Sequence, residues 1–156
     1  MDLSNYHFFW GGILSQWAKA HFVYKGTQFC CAEQAMMHSK AMLFNDLEAA
    51  NKILQETNPR AHKRLGRQVK GFNAHVWNDN KFRIVCEINY AKAKHNRVFQ
   101  EYLLSTNNEI LVEASPYDRI WGIGYNAQDA IDNIDNWGQN LLGKALMHTR
   151  DKLNSE

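Results

Sequence analysis

The stretch Ala32–Asp46, AEQAMMHSKAMLFND, decides how the rest of the chain is read. Wound as an α-helix at about 100° per residue, it sets Met36, Met37, Leu43, Phe44 and Leu47 on one apolar arc. Gln34, His38 and Ser39 fall on the opposite side. Glu33 and Lys40 lie in the middle of the apolar arc, two turns apart and projecting in nearly the same direction. A surface helix normally keeps its ionic groups off the core face. An acid and an amine on that face describe either a buried ion pair or the floor of a pocket. A long lysine can also run its stem along apolar surface to reach water.

Working outward, Ala20–Tyr24 and Thr27–Cys30 read as two short strands joined by a Lys25-Gly26 turn. Before them stands an aromatic run, Tyr6 to Trp10, closed by Gly11-Gly12. After the central helix, Leu47–Glu56 reads as a second helix, and Pro59 suits the first turn of a third that runs to about Val69. That third helix contains HKRLGRQVKG, a basic stretch of the kind that is usually a solvated face, with Arg67 beside Gly66 as the residue to watch.

From Asn80 to Leu104 the spacing predicts one helix, with Ile84, Val85, Ile88, Ala91, His95, Phe99, Tyr102 and Leu103 on one arc. Lys92 sits within that arc, the second amine on an apolar helix face. Glu109–Ala114 reads as a strand with Ile110, Val112 and Ala114 on one side and Leu111 and Glu113 on the other. YDRIWGIGY (Tyr117–Tyr125) then packs Asp118, Trp121 and two glycines into a loop of the kind that approaches ligands closely. A polar stretch to Asn136 leads to a final helix from about Gln139 to Leu153, with Asn140 near its N-terminus placed to donate to an anion.

At 156 residues with 45% apolar and 22% charged content, the chain fits one globular domain spanning 1–156. A net charge of +2 gives no global basic field that would demand nucleic acid or a membrane. With no leader and no long apolar run, the expectation is a soluble cytoplasmic protein with no membrane partner. Cys30, Cys31 and Cys86 make no disulfide framework and read as reduced thiols. There is no phosphate-binding GxxxxGK[ST], no HExxH, no CxxC and no GxSxG, so neither a bound metal nor a cofactor is expected.

SQW (Ser15–Trp17), AEQAMMHSKAMLFND, LGRQVKGF (Leu65–Phe72), LVEASPYDRIWGIG (Leu111–Gly124) and WGQNLLGKALMHTR (Trp137–Arg150) together resemble the NADAR, or YbiA-like, family. The five blocks stand in the family's order and span nearly the whole chain. The resemblance implies an α+β domain, mostly helical, with short strands near the N-terminus and around 110–114. It implies hydrolysis of N-glycosidic bonds, with two substrate classes: ADP-ribose attached to guanine, and phosphoribosylamino-pyrimidine intermediates of riboflavin synthesis. Among the partners it brings into view are ADP-ribosylated DNA or RNA, with an ADP-ribosyltransferase toxin as functional counterpart. The chain departs from the family where Ala35 replaces an aromatic, and around Asn89, where Asn89, Lys92 and Asn96 are kept but a Gly, a Phe and a Gln are lost.

Both substrate classes join ribose C1 to an exocyclic amine. Such an aminal opens to an imine, and a neutral lysine then exchanges with the departing amine to form a Schiff base that water hydrolyses. On this reading Lys40 is the nucleophile, Glu113 and Asp118 are the acid–base groups, and Glu33 orients Lys40 or a ribose hydroxyl. Trp17 and Trp121 stack on the base or wall the pocket, Arg67, Lys92 and Asn140 hold phosphate or ribose, and Ser15 of the SQW block joins the substrate contacts. The competing route is an oxocarbenium mechanism with a carboxylate activating water and Lys40 anchoring phosphate. From a different class comes a non-catalytic module that binds ADP-ribose or a nucleotide.

Overall fold

A computed structural model describes residues 5–156. In chain order the elements are β1 (Tyr6–Phe9), β2 (Phe22–Tyr24), β3 (Thr27–Phe29), α1 (Ala32–Leu43), α2 (Leu47–Gln55), α3 (Pro59–Gly66), α4 (Ala74–His95), α5 (Arg97–Ser105), β4 (Ile110–Glu113), α6 (Ala127–Ala130) and α7 (Leu141–Asn154), with a 3₁₀ segment at Ile131–Asn136. The class is α+β and mostly helical, as expected. The described residues group into two compact units, one formed by Gln16–Arg97, the other by residues 5–15 together with Val98–Glu156. Among the described residues no helix is long and apolar enough to cross a membrane.

In the Gln16–Arg97 unit, β2 and β3 pair antiparallel around Lys25 and Gly26, both at positive φ. Two successive left-handed residues match the twist of a tight hairpin, which is why Lys-Gly works there. Helix α1 has no side-chain cap at Cys31. Gln34 holds this end instead: its Oε1 accepts the Cys30 N–H at 2.8 Å, and its Nε2 donates to the carbonyls of Ile53 and Glu56 at 3.1 Å each. Gln34 is therefore buried, not on the solvent side expected from periodicity.

The central helix also stops earlier than predicted. Asn45 turns left-handed (φ 59°), the Asp46 N–H reaches back to the Ala41 carbonyl at 2.9 Å, and Asp46 then caps α2 through the Ala49 N–H at 3.1 Å. Leu47 thus opens α2 and is 55% exposed, leaving the arc assigned to it. Helix α3 ends at Gly66, short of Val69, and lies so close to α1 that a Cβ at Gly66 would meet the Met37 sulfur.

The predicted helix from Asn80 to Leu104 is two helices, and the first begins earlier, at Ala74, capped by Asn73. The break is at Asn96, whose backbone is extended and whose side-chain amide donates to the carbonyls of His21 and Lys92 at 3.0 and 2.9 Å. His95 is consequently exposed, whereas Ile84, Val85, Ile88 and Lys92 are buried.

In the second unit the aromatic run supplies β1, which pairs in parallel with β4 so that Phe9 faces Glu113. Leu111 and Val112 are both fully buried, so the strand has two covered sides and the expected alternation fails. Val112, Ala114, Ile123 and Ala130 form a core against which Tyr6, Phe8, Tyr125 and Trp137 pack. The polar stretch after the glycine loop is helical as well, started by Asn126 accepting the Asp129 N–H at 2.9 Å. Helix α7 docks through Leu142, Ala145, Leu146 and Thr149, all fully buried.

Candidate functional site

The two units carry different parts of the predicted constellation. Trp17, Glu33, Lys40, Arg67 and Lys92 belong to Gln16–Arg97, and Ser15, Glu113, Asp118, Trp121 and Asn140 to the other unit.

Helix α1 delivers Glu33 and Lys40. Glu33 is 5% exposed, and its N–H donates to the Gln16 carbonyl at 2.9 Å. Lys40 is half-buried, its Nζ 4.6 Å from the centroid of Phe72 and 5.8 Å from that of Trp77. Burial pushes the amine below the usual lysine range, and the Arg67 guanidinium pushes the same way, while Glu33 pulls it back up. The two ring faces also favour the ammonium form. The net direction is downward, toward the neutral amine a nucleophile needs.

Phe72 and Trp77 had no assigned role in the sequence reading. Phe72 stands on the loop after α3 with its ring edge against Phe44, centroids 5.4 Å apart, and Trp77 is in the first turn of α4. Sequence carries a faint signal for them: LGRQVKGF contains Phe72, but nothing in the spacing ties either ring to Lys40.

Lys92, expected to grip phosphate or ribose, is only 1% exposed. Burial drives its amine down to about 8, partly offset by the Cys31 thiol nearby. It is an interior amine, whereas Arg67, at the end of α3, is exposed. Trp17 is 41% exposed. A cavity of about 310 Å3 in this unit opens on another flank of α1, lined by Tyr24, Phe29, His38, Ser39 and Ile84 among others. Neither Glu33 nor Lys40 lines it.

In the other unit backbone bonds bring Glu113, Asp118, Trp121 and Asn140 together. Asp118 Oδ1 accepts the N–H groups of Ile120 and Trp121 at 2.8 and 2.9 Å, an Asx turn that shapes the loop. The Glu113 carbonyl accepts the Ile123 N–H at 3.0 Å. Gly122 lies so close that a Cβ there would stand 2.8 Å from the Glu113 carbonyl oxygen and 3.0 Å from that of Asp118. Only glycine lets the loop close on the strand end.

Asn140 does something other than meet an anion. Its side chain is spent on β4: Oδ1 accepts the Glu113 N–H and Nδ2 donates to the Leu111 carbonyl, each at 2.9 Å. The amides of Gln139, Asn140, Leu141 and Leu142 donate to the carbonyls of Arg119, Gly122, Ile120 and Trp121. The start of α7 is therefore filled by loop carbonyls, and the anion site expected there gives way to a clamp on Glu113. Ser15 sits in a turn, its N–H on the Gly12 carbonyl at 3.0 Å.

The Gln16–Arg97 unit thus carries a half-buried amine on α1, and the other unit carries Glu113 at the end of β4 and Asp118 in the loop that follows. The chain belongs to the NADAR domain family, whose model matches residues 8–154. A protein of Acanthamoeba polyphaga mimivirus named as an N-glycosidase is 41% identical over 97% of this chain and 98% of its own length. A riboflavin biosynthesis protein of Vibrio vulnificus is 27% identical over 91% of this chain, which spans 35% of that longer protein. The solution structure of Escherichia coli YbiA shares the fold, with a TM-score of 0.79 at 22% identity over 99% of this chain and 88% of YbiA.

Proposed function

We propose that this chain is an N-glycosidase that cleaves the bond between ribose C1 and an exocyclic amine of a base, with ADP-ribose on guanine as the substrate. The observation that carries the reading is Lys40: a helix-borne amine set against Phe72 and Trp77 and pushed toward its neutral form by burial and Arg67. The similarity to a named N-glycosidase along its whole length supports the reaction class.

In the proposed sequence a carboxylic acid, Glu113 or Asp118, protonates the ribose ring oxygen as its bond to C1 breaks, and the electron pair of the exocyclic nitrogen turns C1 into an iminium carbon. Neutral Lys40 adds its electron pair to C1, and the carboxylate left by the first step takes the proton that Nζ gives up. The base amine takes a proton from the acid and leaves with the C1–N electron pair, so that C1 is held as a Schiff base on Nζ. Water adds to C1, the lysine is released, and the sugar closes again. Glu33 orients the amine or a ribose hydroxyl, Arg67 meets phosphate or ribose, and Trp17 and Trp121 stack on the base or wall the pocket.

A second reading, hydrolysis of a phosphoribosylamino-pyrimidine, is favoured by the similarity to a riboflavin biosynthesis protein. The two share the bond cleaved and the residues proposed. Purified protein is incubated with each substrate beside the Lys40→Ala, Lys40→Arg and Glu113→Gln variants, and release of free base is followed by chromatography. Base release lost in both lysine variants supports the reading. Full activity in Lys40→Ala removes the lysine route, and binding without base release by the parent turns the protein into a reader of nucleotides.

A further inference from the structure

We propose that Trp10 and Tyr117 form a stacking platform for a nucleobase, in the unit that carries Glu113 and Asp118. Trp10 is 58% exposed and Tyr117 85% exposed, yet their rings lie together, centroids 5.7 Å apart and planes tilted by 57°. Two large rings paired in water forgo most of the burial that aromatic side chains ordinarily gain. The backbone places the two ring-bearing residues next in sequence to Phe9, the strand partner of Glu113, and to Asp118. Trp10 directly follows Phe9, which lies opposite Glu113 in the strand register and whose carbonyl accepts the Ala114 N–H at 2.8 Å. Tyr117 directly precedes Asp118, and its N–H donates to Ser115 Oγ at 3.3 Å.

The surroundings leave the rings open. Gly11 and Gly12, at φ 80° and 73°, turn the chain immediately after Trp10 with open space where side chains would stand. The cation of this loop, Arg119, is engaged by the Asn136 carbonyl and lies over the Tyr125 ring. An uncharged, exposed π surface takes the flat face of a base, with little preference for which base.

This inference rests on the N-glycosidase reading, and it leaves two sources for the stacked base: the substrate's own, or a neighbour in a single strand. The test compares Trp10→Ala and Tyr117→Ala with Trp10→Phe and Tyr117→Phe on two substrates, ADP-ribosylated GMP and the same mark within a short single-stranded oligonucleotide. The platform predicts a rise in KM of roughly 5- to 150-fold for each alanine variant with kcat within about twofold, and recovery in the phenylalanine variants. A loss on both substrates assigns the platform to the substrate's own base, and a loss on the oligonucleotide alone assigns it to a neighbour. A KM within about twofold of the parent on both overturns the proposal. If the parent releases no base at all, the N-glycosidase reading fails and the platform is judged by binding of GMP and of an unmodified single strand. Weaker binding in the alanine variants then supports it, and unchanged affinity for both overturns it.

Discussion

The side-chain oxygen of Asn140 accepts the backbone N–H of Glu113 at 2.9 Å while its amide donates to Leu111, two residues earlier on the same strand. One buried residue at the head of α7 thereby sets where the Glu113 carboxylate emerges. Asn140 is itself left-handed, φ 52°, a conformation that glycine tolerates and alanine does not. Removing the side chain leaves two buried backbone groups unsatisfied, at about 1–3 kcal/mol each. Urea unfolding is expected to show Asn140→Gly destabilised, and Asn140→Ala worse by a further ~1–2 kcal/mol. Equal stability in the glycine variant and the parent would contradict the clamp.

Gly122 gives a related prediction about activity. A Cβ there collides with the Glu113 and Asp118 carbonyls, so Gly122→Ala displaces both carboxylates. If one of them is the general acid, base release should fall by roughly 10²–10⁴-fold, the range for losing such a group. A Gly122→Ala variant that stays folded by circular dichroism and turns over normally would separate these residues from the chemistry.

The amine of Lys40 answers to two neighbours of opposite sign. Arg67 lowers its pKa and Glu33 raises it. Activity that depends on the neutral amine rises with pH through that pKa. Arg67→Ala should therefore move the rising limb of the rate profile to higher pH, and Glu33→Gln should move it to lower pH. Shifts in one common direction, read from kcat against pH, would show that another group governs the limb.

Lys92 makes stability depend on pH in a defined window. Its folded-state pKa, about 8, lies below the ordinary 10.5. Between these values the unfolded chain binds more protons, so the fold gains stability as pH rises. The penalty of burying the charge is present in full below pH 8 and corresponds to roughly 3 kcal/mol. The thiols of Cys31 and Cys86, pushed up to about 12 and 11 by burial, work in the opposite sense above pH 9. The stability of Lys92→Met minus that of the parent is thus expected to fall as pH goes from 7.5 to 10, by an amount on the order of that figure. Chemical denaturation across the range checks it, and a flat difference refutes it.

Those thiols also differ in reach. Cys31 and Cys86 are buried, and Cys30 is half-exposed. Iodoacetamide at pH 8 should label Cys30 in the native protein and the other two only on unfolding, as peptide mass spectrometry would reveal. Rapid native labelling of Cys31 would contradict the packing around the start of α1.

Much of the fold was legible because it is written in local signals. The Lys25-Gly26 turn, Pro59 at a helix start and the periodicity around Ile84 each carry their own geometry in the residue types. What periodicity could not reveal was set by distant partners. Asn96 breaks a helix by bonding back to His21, and Gln34 is buried because α2 offers it carbonyls. Asn140 looked like an anion donor from its place near a helix start. Only the folded chain shows that loop carbonyls take those amides and that β4 takes its side chain. For Lys40 the apolar arc exposed the oddity of the amine, whereas Phe72 and Trp77, which surround it, come from two other segments.

The most direct test of the lysine route is borohydride reduction during turnover of ADP-ribosylated guanosine, followed by peptide mass spectrometry. The account predicts a reduced sugar adduct on the peptide containing Lys40, absent without substrate and absent in Lys40→Arg. Base release at full rate with no adduct on Lys40 would contradict it.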